Sequence, residues 1–461
     1  MIRLDYTFMT EPAVAGALSD AELSAAAVSF AEARAAVQRR WKSGELGFLD
    51  LPDDAAQVRY CESLARWATE RGARDIVVLG IGGSALGPIA LRTALLPAGW
   101  NTLPAASRDG RPRLHVLDNV DPATMSALLN RLELGATIFI VTSKSGGTAE
   151  TMAQYLVVRA RLEAAGRPVR EHLVFVTDPE RGALRRIATD ERIASVPLPP
   201  AVGGRFSVLS PVGLLPAALV GVDIAGLLAG AADMRRRCEE AAWTTNPAGA
   251  FAVLQWLADT RHQRNGQVFM PYADGLRDMA AWFVQLWAES LGKIRPDGTS
   301  VGPTPIAALG ATDQHSQVQL FMEGPNDKTV TFVTVDGSPN DLEIPRLHGE
   351  HPDLAYLGGH RLGELLAVEQ RATAGALAAR GRMNMTISLE RLDVWHVGGL
   401  IMLLEIATAL AGELYGVNAF DQPGVELGKR FAYGMFGRQG YENDLAAWNG
   451  LPKPDPGRVI Q

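Results

Sequence analysis

The apolar residues of this chain follow two periodicities, and the change from one to the other falls near residue 70. Residues 19–42 repeat apolar positions with helical spacing behind a Ser-x-x-Glu capping box, and LPDD at 51–54 is typical of the start of a second helix. From residue 75 onward, short β-branched runs alternate with helical segments. This alternation predicts βαβ units, in which a parallel sheet is covered by helices on both faces.

The strand, turn and helix rhythm occurs in two stretches, which predicts two doubly wound α/β domains. DIVVLGI, LHVLDNV, TIFIVTS and HLVFVTD supply strands of the first domain, and QVFMPYA, TPIAALGA and KTVTFVTVD supply strands of the second. Functional side chains are then expected at the carboxyl ends of the strands. We predict four segments: a helical N-terminal extension over 1–70, a first α/β domain over 71–240, a second over 241–445, and a proline-rich, extended tail over 446–461.

One apolar stretch, residues 209–232, has the length of a membrane span. It contains Pro211, Pro216 and Asp223, and a charged residue near the centre of a span costs about 2.5–3.5 kcal/mol. We therefore expect a helix buried in the protein core. The N-terminal residues MIRLDYTFMTEPAVAG include two acidic residues and lack a continuous apolar core, so neither a signal peptide nor membrane association is expected.

Composition narrows the class of function. The net charge of −7 argues against broad binding to nucleic acid or to anionic membranes, so an anionic ligand would need a local basic pocket. The two cysteines, Cys61 and Cys238, are too few for a disulfide framework or a cysteine zinc site. With so few cysteines, we expect the protein to lie in a reducing compartment, the cytoplasm.

The first glycine-rich turn, GIGGSA at 80–85, follows a strand and opens a helix. Its spacing fits G-x-G-x-x-A, the alanine-ended dinucleotide fingerprint. A helix N-terminus attracts any phosphate, so the motif alone does not separate NAD from a smaller anion. NAD binding also requires an acidic residue about 20 positions later, whereas WNTLPAA stands at 100–106 and Asp118 lies about 35 residues beyond Gly82. This mismatch disfavours a dinucleotide.

The second turn, TSKSGGTAET at 142–151, is richer in hydrogen-bond donors. It offers hydroxyls, an ammonium and a Gly-Gly pair directly before a helix, which suits the three anionic oxygens of a phosphate monoester. The pattern G-x-x-x-x-G-K-[ST] is absent, so the turn is not a P-loop. An ordinary polar turn with a helix cap is the alternative interpretation. We predict phosphate binding through Ser143, Lys144, Ser145, Gly146, Gly147 and Thr148.

Four later residues could perform chemistry. Arg205 follows two glycines in GGRFSVLSPVG, and Glu289 lies near the end of a tryptophan-rich helix that is otherwise apolar except for Gln285. Burial among apolar neighbours raises a carboxyl pKa toward the range that suits a general base. His315 opens an amphipathic segment, and Lys429 follows a Pro-Gly turn. Each alone is also compatible with a structural role, as a snorkelling arginine, a helix-end glutamate, a capping histidine or a solvated lysine.

Together these segments resemble the glucose-6-phosphate isomerase (phosphoglucose isomerase) family across about residues 40–440. The two signature segments of that family stand here as VGGRFSVLSPVG and FDQPGVELGK, and both are long and specific. GIGGSALGP, TSKSGGTAET, ESLGK and DQH also occur in the order of the family. The resemblance implies two sugar-isomerase (SIS) domains of flavodoxin-like type, in a homodimer whose active site lies at the subunit junction.

The resemblance also implies a reaction, the reversible isomerisation of D-glucose 6-phosphate to D-fructose 6-phosphate through a cis-enediolate, as in glycolysis and gluconeogenesis. It makes Glu289 the base that moves a proton between C1 and C2, with Arg205 stabilising the enediolate. His315, which the family supplies from the partner subunit, and Lys429 would open the sugar ring, and Glu150 would orient the histidine. The implied substrate contacts are Gly83, Ser84, Ser143, Lys144, Ser145, Gly146, Gly147, Thr148, Gln285 and Gln422.

That chemistry requires no cofactor and no metal, and three alternatives stay open. A metal-dependent isomerase would need imidazoles and a carboxylate as ligands, and these are available in His348, Glu350, His351 and His360. Their spacing, however, fits no known ligand motif. A non-catalytic sugar-phosphate sensor would have no use for the four reactive residues together. An isomerase that acts on both glucose and mannose 6-phosphates is also compatible with the sequence.

Overall fold

The computed structural model describes residues 1–337 and 340–460. The chain separates into two compact units at the Ala419–Phe420 junction. The described residues contain twelve strands: β1 (Ile2–Asp5), β2 (Asp75–Leu79), β3 (Arg113–Leu117), β4 (Thr137–Thr142), β5 (Leu173–Thr177), β6 (Ala194–Pro197), β7 (Gly266–Pro271), β8 (Lys293–Ile294), β9 (Ser300–Val301), β10 (Thr304–Ala307), β11 (Lys328–Val335) and β12 (Asn384–Leu389).

Helices alternate with these strands along the chain. Seventeen α-helices lie in the described ranges: α1 (Asp20–Lys42), α2 (Ala55–Glu70), α3 (Gly83–Leu95), α4 (Pro122–Arg131), α5 (Ala149–Ala164), α6 (Val169–His172), α7 (Ala183–Glu191), α8 (Pro211–Leu219), α9 (Ile224–Arg237), α10 (Pro247–His262), α11 (Arg277–Leu291), α12 (Val318–Glu323), α13 (Pro352–Ala355), α14 (Leu362–Ala379), α15 (Val394–Tyr415), α16 (Glu426–Met435) and α17 (Glu442–Asn449).

Five strands of the first unit form a fully parallel sheet in the order β3-β2-β4-β5-β6. Every residue of β2, β4 and β5 is buried, which explains their continuous apolar runs. Along the chain, β2 is the first strand of this sheet, β3 is added on one side of it and β4 on the other. The direction of strand addition therefore reverses between β2 and β4, and doubly wound sheets bind ligands at this topological switch point. The doubly wound prediction is confirmed for this sheet.

The second sheet of the first unit has the order β10-β7-β11-β12, all parallel, and β1 pairs antiparallel with the outer edge of β12. In that last pair Ile2 lies opposite Leu389. The segment over 1–70, predicted to be a helical extension, contains the expected helices α1 and α2. Residues 2–5, however, are not helical, because they form the strand that completes the second sheet. The apolar pattern also does not predict β6 and β12.

Residues 209–232 form two helices where the sequence predicts one. α8 is buried along its whole length, the chain turns at Gly221 with a φ of +88°, and the Asp223 side chain caps α9 by accepting from the Gly226 N–H. The predicted burial is confirmed for α8. The single helix is wrong, because the glycine turn ends one helix and the aspartate cap starts the next.

Helix α15 is buried over most of its length. It packs against α1, α9, α10 and α11. Within the described residues it is the one helix long and apolar enough to cross a membrane, and 89% of its most apolar window is buried inside the protein. Such burial on all sides is typical of a core helix.

The second unit, from Phe420 onward, contains α16 and α17. Within it, Arg430 on α16 forms an ion pair of 2.7 Å with Asp444 on α17. The tail predicted from residue 446 therefore begins inside α17, so residues 446–449 are helical where an extended chain is predicted. The described residues beyond this helix are irregular except for one short 3₁₀ turn. Residue 461 lies outside the described part, and the four-segment division stays a prediction.

Candidate active site

The first glycine-rich turn connects β2 to α3 at the carboxyl edge of the first sheet. Gly82 has a φ of +57°, a backbone conformation that favours glycine, and α3 starts at the next residue. Ser84 lies in the first turn of α3. The turn therefore places a helix N-terminus and a hydroxyl at the edge where doubly wound sheets bind ligands.

Gly83 allows this turn to contact the segment that carries Arg205. A Cβ on Gly83 would lie 2.2 Å from the carbonyl oxygen of Gly204 and 2.8 Å from the main-chain nitrogen of Arg205, so a larger residue does not fit. A Cβ on Gly82 would lie 3.0 Å from Nε2 of Gln285. The turn thus packs against both the Arg205 segment and α11, and three predicted site residues, Gly83, Arg205 and Gln285, come together there.

The second glycine-rich turn connects β4 to α5. The hydroxyls of Ser143 and Thr148 are 3.0 Å apart, and the Ser145 hydroxyl accepts from the Gly147 N–H at 3.3 Å. Gly146 has a φ of +62°. Because β2 and β4 are neighbouring parallel strands, the first and second turns lie at the same edge of the sheet.

Neither turn gives its helix a side-chain cap. Gly82 has no side chain, and the Thr148 hydroxyl is engaged with Ser143 instead of an α5 N–H. Among the described helices, side-chain oxygens of Ser, Asp or Asn cap seven, α1, α2, α4, α8, α9, α10 and α15, and the others have no such cap. The N-termini of α3 and α5, with their positive dipole ends, are therefore suited to accept an anion at this edge.

Lys144 is oriented differently from the hydroxyls of the second turn. Its ammonium donates to the carbonyl oxygens of Pro200 at 2.7 Å and Val202 at 2.9 Å. Burial lowers the pKa of Lys144, and the nearby Asp178 carboxylate opposes that effect. The two hydrogen bonds tie the second turn to the segment that leads into Arg205. A phosphate contact from this ammonium stays a prediction.

Arg205 is almost completely buried, with 3% of its surface exposed. Its Nε donates to the Ser290 hydroxyl at 2.7 Å, and its Nη2 donates to the carbonyl oxygen of Ala419. Its Nη1 lies 3.4 Å from Oε2 of Glu289. A planar guanidinium fixed by several partners holds its positive charge in a defined position. The structure thus brings the predicted base, Glu289, and the predicted enediolate-stabilising residue together.

Glu289 lies in the last turn of α11 and is partly buried, with 27% of its side chain exposed. Gln285, one turn earlier, donates its Nε2 to Glu289 Oε2 at 3.3 Å. The Oε1 atom of Gln285 is buried and has no hydrogen-bond partner among the described residues. A buried acceptor without a donor is costly, and a ligand hydroxyl would satisfy it.

His315 is exposed at the end of a 3₁₀ turn that follows β10. Asp313 stabilises this turn by accepting from the Leu309 N–H at 2.7 Å and from the Ser316 hydroxyl. Burial raises the pKa of Asp313, but the hydrogen bonds from Ser316 and Leu309 outweigh it and hold this pKa below its usual value. The imidazole of His315 is therefore presented to solvent by a turn that is itself well fixed.

The predicted residues still to be placed are Gln422, Lys429 and Glu150. Gln422 and Lys429 belong to the second unit, where the Lys429 ammonium is 2.8 Å from the Glu426 carboxylate. Glu150 lies in the first turn of α5, and within the described residues no hydrogen bond joins it to His315. The roles of Gln422, Lys429, Glu150 and His315 stay predictions.

The sequence analysis does not identify two residues that position the site, although both belong to the ESLGK segment. The Ser290 hydroxyl accepts from Arg205, which is 85 residues away along the chain, and nothing in the local sequence indicates that pairing. Lys293 donates to the main-chain carbonyls of Glu289 at 2.6 Å and Ser290 at 3.1 Å and so ends α11. A lysine just beyond a helix C-terminus is a recognisable signal for such a cap.

Fold and geometry together define a class of protein: two doubly wound α/β sheets, with an anion-accepting edge on the first and a carboxylate–guanidinium pair packed against it. The sequence profile of the family described as phosphoglucose isomerase matches residues 59–351 and 365–449. The chain belongs to the phosphoglucose isomerase family, as the sequence motifs predict.

The sequence of this chain is similar to those of individual relatives over most of their length. A glucose-6-phosphate isomerase of Rubrobacter xylanophilus is 50% identical over 86% of this chain and 90% of that protein. One of Carboxydothermus hydrogenoformans is 44% identical over 92% of each. The crystal structure of a hypothetical protein from Thermus thermophilus matches with a TM-score of 0.83 at 38% identity, covering 95% of this chain and 100% of that one. A glucose-6-phosphate isomerase structure from Chlamydia trachomatis, 23% identical, has a TM-score of 0.73 over 86% of this chain and 77% of that one, and it supports the fold.

Proposed function

We propose that this protein interconverts D-glucose 6-phosphate and D-fructose 6-phosphate by ring opening and proton transfer through a cis-enediolate, without metal or cofactor. The observation that carries the proposal is the Arg205–Glu289 pair, 3.4 Å apart, which packs against the anion-accepting edge of the first sheet. The relatives from Rubrobacter xylanophilus and Carboxydothermus hydrogenoformans are named for the same activity.

In this proposal the two glycine-rich turns bind the phosphate. The N-termini of α3 and α5 supply main-chain N–H groups, and hydroxyls of Ser84, Ser143, Ser145 and Thr148 supply further donors. The phosphate is remote from the carbons that react, so its binding energy serves to orient C1 and C2 toward Glu289. The unpartnered Oε1 of Gln285 accepts a hydrogen bond from a sugar hydroxyl.

The proton transfer follows from the Arg205–Glu289 geometry. The Glu289 carboxylate removes the proton from C2 of the open aldose, the C1=C2 bond forms, and the carbonyl electron pair moves onto O1. The Arg205 guanidinium stabilises this negative charge, because its position is fixed before the reaction starts. A proton then passes from the C2 hydroxyl to O1, and Glu289 returns its proton to C1, which leaves the ketose carbonyl at C2.

We further propose that the site is completed by a second copy of the chain. Glu289 is near the end of α11, which returns from the carboxyl end of β7 toward the amino edge of the second sheet, whereas His315 follows the carboxyl end of β10 in the same sheet. Because Glu289 and His315 lie toward opposite ends of the strands of one sheet, we assign His315 to the site of a partner subunit. There the imidazole, together with Lys429, moves the proton that opens the sugar ring.

We place the protein in the cytoplasm. Both cysteines are buried and free of disulfide bonds, as expected of a protein in a reducing compartment. Glucose 6-phosphate and fructose 6-phosphate are charged metabolites, and an enzyme that interconverts them serves glycolysis and gluconeogenesis.

The test is a turnover assay on the full-length protein after exhaustive treatment with EDTA. We expect fructose 6-phosphate to form from glucose 6-phosphate, and the reverse reaction to occur in the same preparation. Binding of glucose 6-phosphate without turnover would contradict the proposal and favour a sugar-phosphate sensor. Activity that is lost with EDTA and restored by a divalent ion would also contradict it, in favour of a metal-dependent isomerase. Mannose 6-phosphate as a parallel substrate separates a specific enzyme from one that accepts both sugars.

A further inference from the structure

The chain between β11 and α14 makes an excursion across residues 341–361 that the proposed reaction does not use. The base of this excursion is closed by an antiparallel bridge between Glu343 and Arg361 and by the hydrogen bond from the Ile344 N–H to the His360 carbonyl, 2.8 Å long. The family profile stops at residue 351 and resumes at residue 365. The tip of the excursion therefore borders a segment, residues 352–364, that the family profile does not match.

Three side chains with metal-binding donors converge at the tip of the excursion, His348, Glu350 and His351. The tip is a tight turn in which His348 has a φ of +54° and the His351 N–H donates to the His348 carbonyl at 2.9 Å. One donor atom of each side chain lies within 4.8 Å of the other two. His360, which the sequence groups with these residues, pairs separately with Glu364 at 3.0 Å.

The separations within this triad fit shared coordination better than hydrogen bonding. Nδ1 of His348 lies 3.6 Å, and Nε2 of His351 3.5 Å, from the same Glu350 oxygen, Oε1. Nitrogen and oxygen atoms in a direct hydrogen bond are about 2.7–3.2 Å apart. Ligands that lie about 2.1 Å from a tetrahedral ion are about 3.4 Å from one another. Each of the two imidazole nitrogens already lies close to that distance from the Glu350 oxygen.

We propose that His348, Glu350 and His351 bind a first-row divalent transition ion of the Zn²⁺ type, with water as the fourth ligand, and that the ion fixes the tip of the excursion. Two imidazoles and one carboxylate suit Zn²⁺, whereas Mg²⁺ and Ca²⁺ prefer ligand sets made of oxygen. The three side chains are exposed, so the ion exchanges with solvent. This site is separate from the proposed active site, and the proposed isomerisation does not depend on it.

The binding test uses the full-length protein, stripped with EDTA and dialysed, and titrates it with ZnCl₂ by calorimetry and equilibrium dialysis. The test variant combines His348→Asn with His351→Ala, because asparagine tolerates the positive φ of residue 348. His360→Ala is the matched control, since it removes an exposed imidazole that pairs outside the triad. We expect the wild type and the control to bind one more equivalent of Zn²⁺ than the double variant. Equal binding by all three proteins would overturn the site.

A second measurement tests whether the ion fixes the tip. Trypsin cleaves after arginine, and Arg346 lies two residues before the triad in the exposed part of the excursion. We expect Zn²⁺ to slow cleavage at Arg346 in the wild type and in His360→Ala, and to leave the double variant unchanged. Because the double variant is digested with the same trypsin and the same Zn²⁺, an effect of the ion on the protease itself is excluded. Cleavage of the wild type at the same rate with and without Zn²⁺ would overturn the proposed fixing of the tip.

Discussion

Ser290 is one of the residues that hold the guanidinium of Arg205 in place. The serine is 0% exposed, and its hydroxyl accepts from Arg205 Nε at 2.7 Å. In Ser290→Ala a buried charged N–H loses its acceptor, at a cost of about 1–3 kcal/mol. We expect kcat to fall about tenfold, as for about 1.4 kcal/mol of lost transition-state stabilisation, with KM nearly unchanged because the phosphate-binding turns are intact. Steady-state kinetics in the glucose 6-phosphate direction measure the two constants.

Thr408→Ala is the control for this prediction. Thr408 carries a hydroxyl as buried as that of Ser290, and it bonds the Leu404 carbonyl at 2.7 Å within α15. This variant should keep the kcat of the wild type. Equal losses of kcat in both variants would show that Ser290 supports only the fold.

Gly83 is required for a close approach, and its replacement tests that contact directly. In Gly83→Ala the new Cβ would lie 2.2 Å from the main-chain oxygen of Gly204, so α3 and the Arg205 segment must separate. We expect a loss of stability of about 1–3 kcal/mol, as in overpacked cores, and a large loss of activity. Gly375→Ala in α14 is the matched control, because no described atom lies within 4 Å of its new Cβ, and it should stabilise the protein by about 0.4–1 kcal/mol. Chemical denaturation that ranks the two variants in the opposite order would contradict this account.

At the scale of single residues, sequence reasoning locates the proposed base and its guanidinium partner but not the residues that hold them in place. Arg205 stands in the long, specific segment VGGRFSVLSPVG and Glu289 in the landmark ESLGK, so the resemblance identifies both. The Ser290 contact depends on a tertiary approach that leaves no local pattern. The partial burial of Glu289 is also not evident from the sequence, because apolar neighbours along the chain do not tell which face of the helix end is covered.

Strands β2 and β3 are joined by a buried ionic cluster around Asp75. Its carboxylate accepts from Arg113 Nε at 2.7 Å and lies 2.9 Å from His115 Nε2. Burial raises the pKa of Asp75, but the hydrogen bonds from His115 and Arg113 outweigh it, so this pKa lies below its ordinary value. A carboxyl whose pKa is lower in the folded than in the unfolded protein stabilises above about pH 4 and loses that contribution as the pH falls through the folded value.

Asp75→Asn should therefore lower the free energy of unfolding by about 3 kcal/mol at neutral pH, because it leaves a partly buried guanidinium without its counter-ion. The difference from the wild type should shrink in acid. Asp274→Asn is the control, since its ion pair with Arg277 is solvent-exposed and such pairs contribute little. Urea denaturation at pH 7 and below about pH 4 makes the comparison, and a difference that grows in acid would contradict the assigned cause.

Elements are predictable where one local signal decides them. β2, β4 and β5 are buried on both faces and occur as continuous apolar runs, and α1 is indicated by its capping box. β1 has no such signal, because IRLD alternates polar residues and becomes a strand only by pairing with Leu389 at the far end of the unit. The break between α8 and α9 has a local signal in Gly221 and Asp223, since a glycine followed by a capping aspartate is a usual helix junction.

At the scale of the whole molecule, the family resemblance predicts a dimer with shared sites, and complementation tests it. Glu289→Gln and His315→Ala should each be inactive alone. In a mixed dimer one site combines the intact Glu289 of one copy with the intact His315 of the other, so subunit exchange should restore about a quarter of wild-type activity. Light scattering of the wild type and of the separate variants measures whether each forms the predicted dimer. No recovery from mixed dimers would contradict the shared site.

The central claim is that the carboxylate of Glu289 moves the proton between C1 and C2. The most direct measurement is NMR of glucose 6-phosphate in D₂O with the wild type and with Glu289→Gln, which keeps the size of the side chain and removes its basicity. Because a base that takes the C2 proton exchanges part of it with solvent, the wild type should place deuterium at C1 of fructose 6-phosphate. The variant should bind the sugar phosphate, yet lose both turnover and deuterium incorporation by several orders of magnitude. Incorporation by the variant at the wild-type rate would contradict the account.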